Sequence, residues 1–134
     1  MRRLGLALLT VSLCAGLARA EDTTELCAEA AARYKEMFGR EAASEPVKTI
    51  LMYKYRFCPD VVSAPKGSKL RYVNVDKRTS HSVWLRNDGR PESERVFSGG
   101  VIDVDADLDE GEHEVLCGPH WESDGMKARL IITR

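Results

Sequence analysis

Histidine is scarce in this 134-residue chain, which has three: His81, His113 and His120. A catalytic centre assembled from several histidine-rich metal sites is excluded on that count. No apolar run is long enough to span a bilayer, because the stretch from Leu4 to Leu17 falls short of the ~20 residues a spanning helix needs. No internal repeat is evident. Lys and Arg are missing from Val96 to Gly125, and the whole chain is nearly balanced at 20 basic against 21 acidic residues. That composition lacks the basic footprint of a nucleic-acid-binding protein.

What is present begins with a leader. Arg2 and Arg3, the run from Leu4 to Leu17, and Ala18-Arg19-Ala20 together read as a secretory signal over residues 1–20. Cys14 as a lipid acceptor is disfavoured by the bulky Leu13 before it, and the paired arginines have little else of a twin-arginine motif. Cleavage before Glu21 would leave 17 basic and 21 acidic residues, a net charge of −4, in an exported, periplasmic chain. Three cysteines would remain, Cys27, Cys58 and Cys117. An odd count in an exported protein points to one disulfide and one thiol with another task.

Glu21 to about Gly39 reads as a helix, with Asp22 and Glu25 as an acidic capping box and Gly39 as its stop. Cys27, Ala31, Tyr34 and Phe38 form its apolar face. Residues 40–46 read as a linker, so 21–46 is a helical extension and 47–134 the main domain. From Val47 onward short runs of Val, Ile, Tyr and Thr predict strands near 47–57, 61–64, 69–75, 81–86, 101–106, 112–117 and 127–133. Pro65-Lys66-Gly67 and Asn87-Asp88-Gly89 are turn signals, the second suited to a tight hairpin. Seven short strands predict an all-β Greek-key sandwich with a short N-terminal helix. Seven carboxylates lie between Asp103 and Glu114; alternation with Ile102, Val104 and Leu108 favours a solvated strand face over a docking patch.

The chemistry lies in Cys117-Gly118-Pro119-His120 and the downstream Met126, on a loop between two predicted strands, together with His81 upstream. Thiolate and thioether are soft donors that favour Cu(I), and imidazole also suits Cu(II). Two histidines and a cysteine with a weak axial sulfur need little rearrangement when one electron moves. A zinc site would need a fourth strong ligand, and none is near in sequence. A thiol nucleophile would pair Cys117 with a histidine base, but two histidines and a methionine at one cysteine fit a metal better.

From Val47 to Arg134 the chain resembles the cupredoxins, the group that includes plastocyanin, pseudoazurin and amicyanin. The first half of the resemblance is Tyr55-Arg56-Phe57-Cys58-Pro59-Asp60 followed by Val61, Gly67, Asn74, Asp76 and His81. The second is Gly111-Glu112-His113-Glu114-Val115-Leu116-Cys117-Gly118-Pro119-His120. It implies one copper ion held by His81, Cys117 and His120, with Met126 axial. It also implies that Ser82 stands where the family often has an asparagine tying two ligand loops together. His120 would be the ligand nearest solvent and the exit for the electron, so redox partners would dock near it on a monomeric protein. Five residues separate His120 from Met126, where plastocyanin and pseudoazurin have four and amicyanin two. The longer loop could lengthen the sulfur contact.

His113 reads as a structural histidine, Trp84 as core, and Trp121 as either an exposed docking group or a cover over the site. A Cys27–Cys58 bridge is favoured over a second metal site, since it would pin the helix to the sandwich and leave Cys117 as the odd thiol. The expected function is one-electron transfer in the periplasm, the chain not being an enzyme. The alternative is a copper chaperone or resistance protein. Lack of a Met- or His-rich tail favours the carrier, and the longer ligand loop favours delivery.

Overall fold

A computed structural model describes residues 23–134. The secretory-signal reading and the capping role of Asp22 lie outside the described residues. The elements are helix α1 (Thr23–Phe38) and strands β1 (Lys48–Tyr53), β2 (Arg56–Cys58), β3 (Val61–Pro65), β4 (Lys69–Asn74), β5 (Val101–Asp105), β6 (Gly111–Leu116) and β7 (Lys127–Thr133). They form two sheets, ordered β2-β1-β4-β5 and β3-β7-β6, with β1–β4 and β3–β7 parallel. The all-β sandwich with one short helix is therefore present.

Period-two alternation decides what each sheet buries. Ile50 and Met52 of β1, Leu70 and Tyr72 of β4, and Ile102 of β5 face Val62, Ala64, Val115, Leu130 and Ile132 of the other sheet in one core. The intervening residues of β1 and β4, Leu51, Tyr53 and Val73, pack instead with Ala30 and Tyr34 of α1. Strand β1 is thus covered on both faces, which is why it reads as a continuous apolar run. Cys27 and Cys58 form a disulfide with Cα atoms 5.3 Å apart, anchoring α1 to β2. Closing a loop of 31 residues, this bridge constrains the unfolded chain by about 3–4 kcal/mol. Among the described residues no helix is long and apolar enough to cross a membrane.

Two strand expectations are corrected. The stretch 47–57 is a hairpin, not one strand: Lys54 and Tyr55 have φ of 44° and 60°, and Tyr53 pairs back with Arg56. Two consecutive left-handed residues reverse a chain in the way Asn-Gly usually does, and non-glycine side chains conceal that signal. The stretch 81–86 is no strand. It makes single bridges, His81 to Val96 and Trp84 to Leu116, and so stitches neighbouring segments together. The expected hairpin at 87–89 is a short 3-10 turn, Arg86–Asp88, closed by Gly89 at φ 70°.

The acidic stretch is a solvated face whose charge is partly cancelled from neighbouring segments. Asp103 pairs with Arg71, Glu112 with Arg129, Glu110 with Arg134 and Asp109 with Lys66. Exposed pairs of this kind stabilise by less than about 1 kcal/mol each, so their main effect is to cancel local charge.

Candidate metal centre

Strand β6 ends at Leu116 and delivers Cys117; β7 begins just after Met126. The loop between them is closed on itself. Cys117 N–H donates to Met126 O, His120 N–H and Trp121 N–H to Cys117 O, and Asp124 N–H and Met126 N–H to His120 O. The bridge of His81 to Val96 holds the upstream histidine at the same end of the sandwich. Side chains of His81, Cys117 and Met126 are buried, and His120 is partly exposed.

Donor atoms of His81, Cys117 and His120 all lie within 4.8 Å of one another. Cys117 Sγ is 3.6 Å from His81 Nδ1 and 3.5 Å from His120 Nδ1. Bonds of about 2.3 Å to sulfur and about 2.0 Å to nitrogen, spread trigonally, would separate such donors by roughly 3.7 Å, close to what is found. The three side chains therefore fit a single ion. Met126 is buried in the same core cluster as Cys117.

Surrounding groups orient these donors. His81 Nε2 lies 2.5 Å from Asp76 Oδ2, so Nε2 carries the proton and Nδ1 presents its lone pair beside the thiol. Asp76 also accepts the Lys54 N–H, and its own N–H donates to Asn74 Oδ1. Asn74 is buried, its amide donating to Thr79 O and Val96 O.

Ser82 stands between the two ligand segments. Its Oγ accepts the Gly118 N–H at 2.9 Å and donates to Glu92 Oε1 at 2.8 Å, while its N–H approaches Cys117 Sγ at 3.5 Å. A Cβ on Gly118 would fall 1.8 Å from Glu92 Oε1, so the glycine makes room for that carboxylate. Burial pushes the Cys117 thiol up, and Glu92 adds to this against hydrogen bonds from Ser82 and His120. Burial, then the neighbouring His81, pushes His120 down, partly opposed by Asp124. The pocket thus favours a neutral thiol and a neutral imidazole until a cation displaces the thiol proton.

Glu92 carries no functional signal in the sequence alone, and Tyr55 enters there only as part of the cupredoxin resemblance, with no role of its own. The Tyr55 ring meets His120 edge-on at 4.9 Å and His81 at 6.4 Å, and the residue is 39% exposed. Trp84 is not core: it is half-buried, with Nε1–H donating to Arg90 O and Arg86 over its ring. Trp121 is half-buried beneath Arg86 and Lys127, so it is not a freely exposed docking group.

His113 stands apart from the three donors. Its Nδ1 is 2.7 Å from Asp88 Oδ1 and its Nε2 2.7 Å from Asp109 O, so both nitrogens donate. Burial alone would lower its pKa, but the bonds to Asp109 and Asp88 outweigh it and hold the imidazolium above the usual range. A raised folded-state pKa stabilises fully below the unfolded value of about 6.5, and that contribution disappears as pH rises through the folded value. Urea midpoints should therefore fall more steeply above pH 6.5 in the native chain than in His113→Gln. Parallel profiles would remove this ion pair from the account.

Comparison with protein-family models and with curated proteins gives no match. Solved structures do match. Amicyanin from Paracoccus versutus superposes with a TM-score of 0.55 at 17% identity, covering 69% of this chain and 88% of that one. An oxidised single-site mutant of amicyanin gives 0.58 at 11% identity, over 67% and 85%. Copper-containing nitrite reductase from Thermus scotoductus gives 0.56 at 20% identity, over 72% of this chain but 24% of that one. The chain thus spans about a quarter of the reductase's length and most of the amicyanins'. These likenesses establish a cupredoxin-like fold.

Proposed function

We propose that this chain is a type 1 copper protein that carries single electrons, with His81, Cys117 and His120 as equatorial ligands and Met126 as the weak axial one. The observation that carries this reading is the convergence of one thiol sulfur and two imidazole nitrogens at 3.5–3.6 Å, at one end of a cupredoxin-like sandwich. Bound copper would supply a one-electron Cu(II)/Cu(I) couple.

The residues do the rest. Asp76 fixes the tautomer of His81, Ser82 holds the Cys117 and His81 segments together, and burial excludes water from sulfur. His120 is the one of the three donors that reaches the surface, so the electron would leave there, towards redox partners docking near it. A monomer exported to the periplasm, after removal of residues 1–20, is the form in which it would act.

The closed 117–126 loop supports the carrier over copper delivery, because five backbone hydrogen bonds hold the ligand segment and absorb its extra length. All three histidines are also accounted for, two at the centre and His113 with Asp88, which leaves none for a second, catalytic copper. Voltammetry of the copper-loaded protein tests the reading. A reversible one-electron couple with metal retained in both states supports it; loss of metal on reduction would favour delivery. Met126→Leu should keep copper and shift the potential, which the axial ligand and the hydrophobicity around the sulfur tune. An unchanged potential would take Met126 out of the site.

A further inference from the structure

Beside the centre, on the side of α1, lies a cavity of ≈ 460 Å³ lined by Arg33, Tyr53, Lys54, Asp76, Lys77, Arg78 and Thr79. Four of the seven are cationic. The single carboxylate, Asp76, is turned inward: its Oδ2 takes the His81 ring and the Lys54 N–H, and the residue is 7% exposed. Lys54 pairs with Glu29 at 3.0 Å, and Arg33 donates to Val75 O. Lys77 and Arg78 are exposed, and no carboxylate among the described residues forms a salt bridge with either. At β5, β6 and their connection, by contrast, four carboxylates are paired with basic residues. Here positive charge is left uncancelled in a concavity, although the chain as a whole is net negative, at −1.

The cavity is a short step from the exit for the electron. Its lining includes Asp76, the carboxylate that holds His81, and Lys54, whose neighbour in the chain, Tyr55, sets its ring edge-on to His120. Arg56, next in the chain, donates into the ligand loop at Asp124 O. Glu122 and Asp124 are the exposed carboxylates of that loop and do not line the cavity.

We propose that this cavity is the electrostatic docking subsite for an acidic redox partner, whose surface carboxylates seat against Lys77 and Arg78 while its acceptor faces Tyr55 and His120. The proposal rests on the carrier reading. A concave patch of one sign focuses field lines and raises encounter rates by about 10- to 1000-fold at low salt, fading as salt screens it.

The test is stopped-flow oxidation of the reduced, copper-loaded protein by ferricyanide, an anion, and by tris(phenanthroline)cobalt(III), a cation. In each reaction one electron passes from Cu(I) to the oxidant, leaving Cu(II) and ferrocyanide or cobalt(II). Lys77→Glu/Arg78→Glu should slow ferricyanide by about tenfold or more at low ionic strength and speed the cobalt complex. Lys66→Glu/Lys69→Glu changes net charge equally at the opposite end and should leave both rates within about twofold. Poly-glutamate should inhibit the native protein and not the Lys77/Arg78 variant. Equal effects of the two double variants, or no effect of either, would overturn the proposal. Protection by millimolar inorganic phosphate with poly-glutamate inert would also overturn it, by placing a free oxyanion there. No electron transfer to either oxidant would instead overturn the carrier reading, and the docking subsite with it.

Discussion

Cys117→Ser is expected to leave a folded protein that gives no intense visible absorption with Cu(II) and binds the ion at least about a hundredfold more weakly. Three facts lead there. Cys117 is the one free cysteine among the described residues, and its sulfur sits between two imidazole nitrogens at 3.5–3.6 Å. The thiolate is the donor whose electrons a cupric ion draws on for an intense band, and a serine hydroxyl stays protonated and hard. Removing a residue that merely orients a metal ligand already costs about 10- to 100-fold in metal affinity, so loss of the central ligand costs more. The substitution is nearly isosteric in a site that is buried without metal, so the melting temperature of the metal-free protein should change little. Retained colour in this variant would contradict the assignment of the ligand.

Glu92→Gln should raise the reduction potential while leaving copper bound. Glu92 is anchored to Ser82 Oγ at 2.8 Å, and Ser82 in turn contacts both the Gly118 N–H and the Cys117 sulfur. A carboxylate there opposes addition of an electron to the centre, as its upward push on the Cys117 thiol already indicates. Its side chain is 29% exposed and also lies 3.6 Å from Arg95, both of which screen it. A discounted effect is on the order of 1 kcal/mol, which for one electron is roughly 40 mV. Glutamine keeps the size and can still accept the serine hydrogen bond, so a purely structural role would leave the potential in place. Voltammetry of the two proteins side by side separates the cases.

The legible part of the molecule is whatever depends on short-range pattern. Alternation in Val101 to Asp105 and in Lys127 to Thr133 matches strands β5 and β7. The helix stops at Gly39, whose φ is 74°. The odd cysteine count points to the bridge that is present, Cys27–Cys58, and to the thiol left over. Pattern alone places His81 at the opening of a strand; it sits instead in a bridged crossing segment, yet arrives beside Cys117 and His120.

What stays hidden depends on contacts made across the sandwich. Glu92 is ten residues from Ser82 on a segment without periodicity, and nothing in its local sequence marks it as a partner of the ligand loop. Tyr55 reaches His120 because two non-glycine residues adopt left-handed geometry, a choice propensity argues against. Such conformations persist where surrounding packing over-determines them, and they gather at functional sites. Asp76 can be matched to a family pattern, but its hydrogen bond to His81 requires the folded chain.

The measurement that bears most directly on the copper assignment is the visible spectrum of the protein during titration with Cu(II), followed by a mild reductant and re-oxidation. An intense band that saturates at one equivalent, bleaches on reduction and returns on re-oxidation is the expected result. A weak or absent band, or metal released on reduction, would contradict a thiolate–copper carrier at His81, Cys117 and His120.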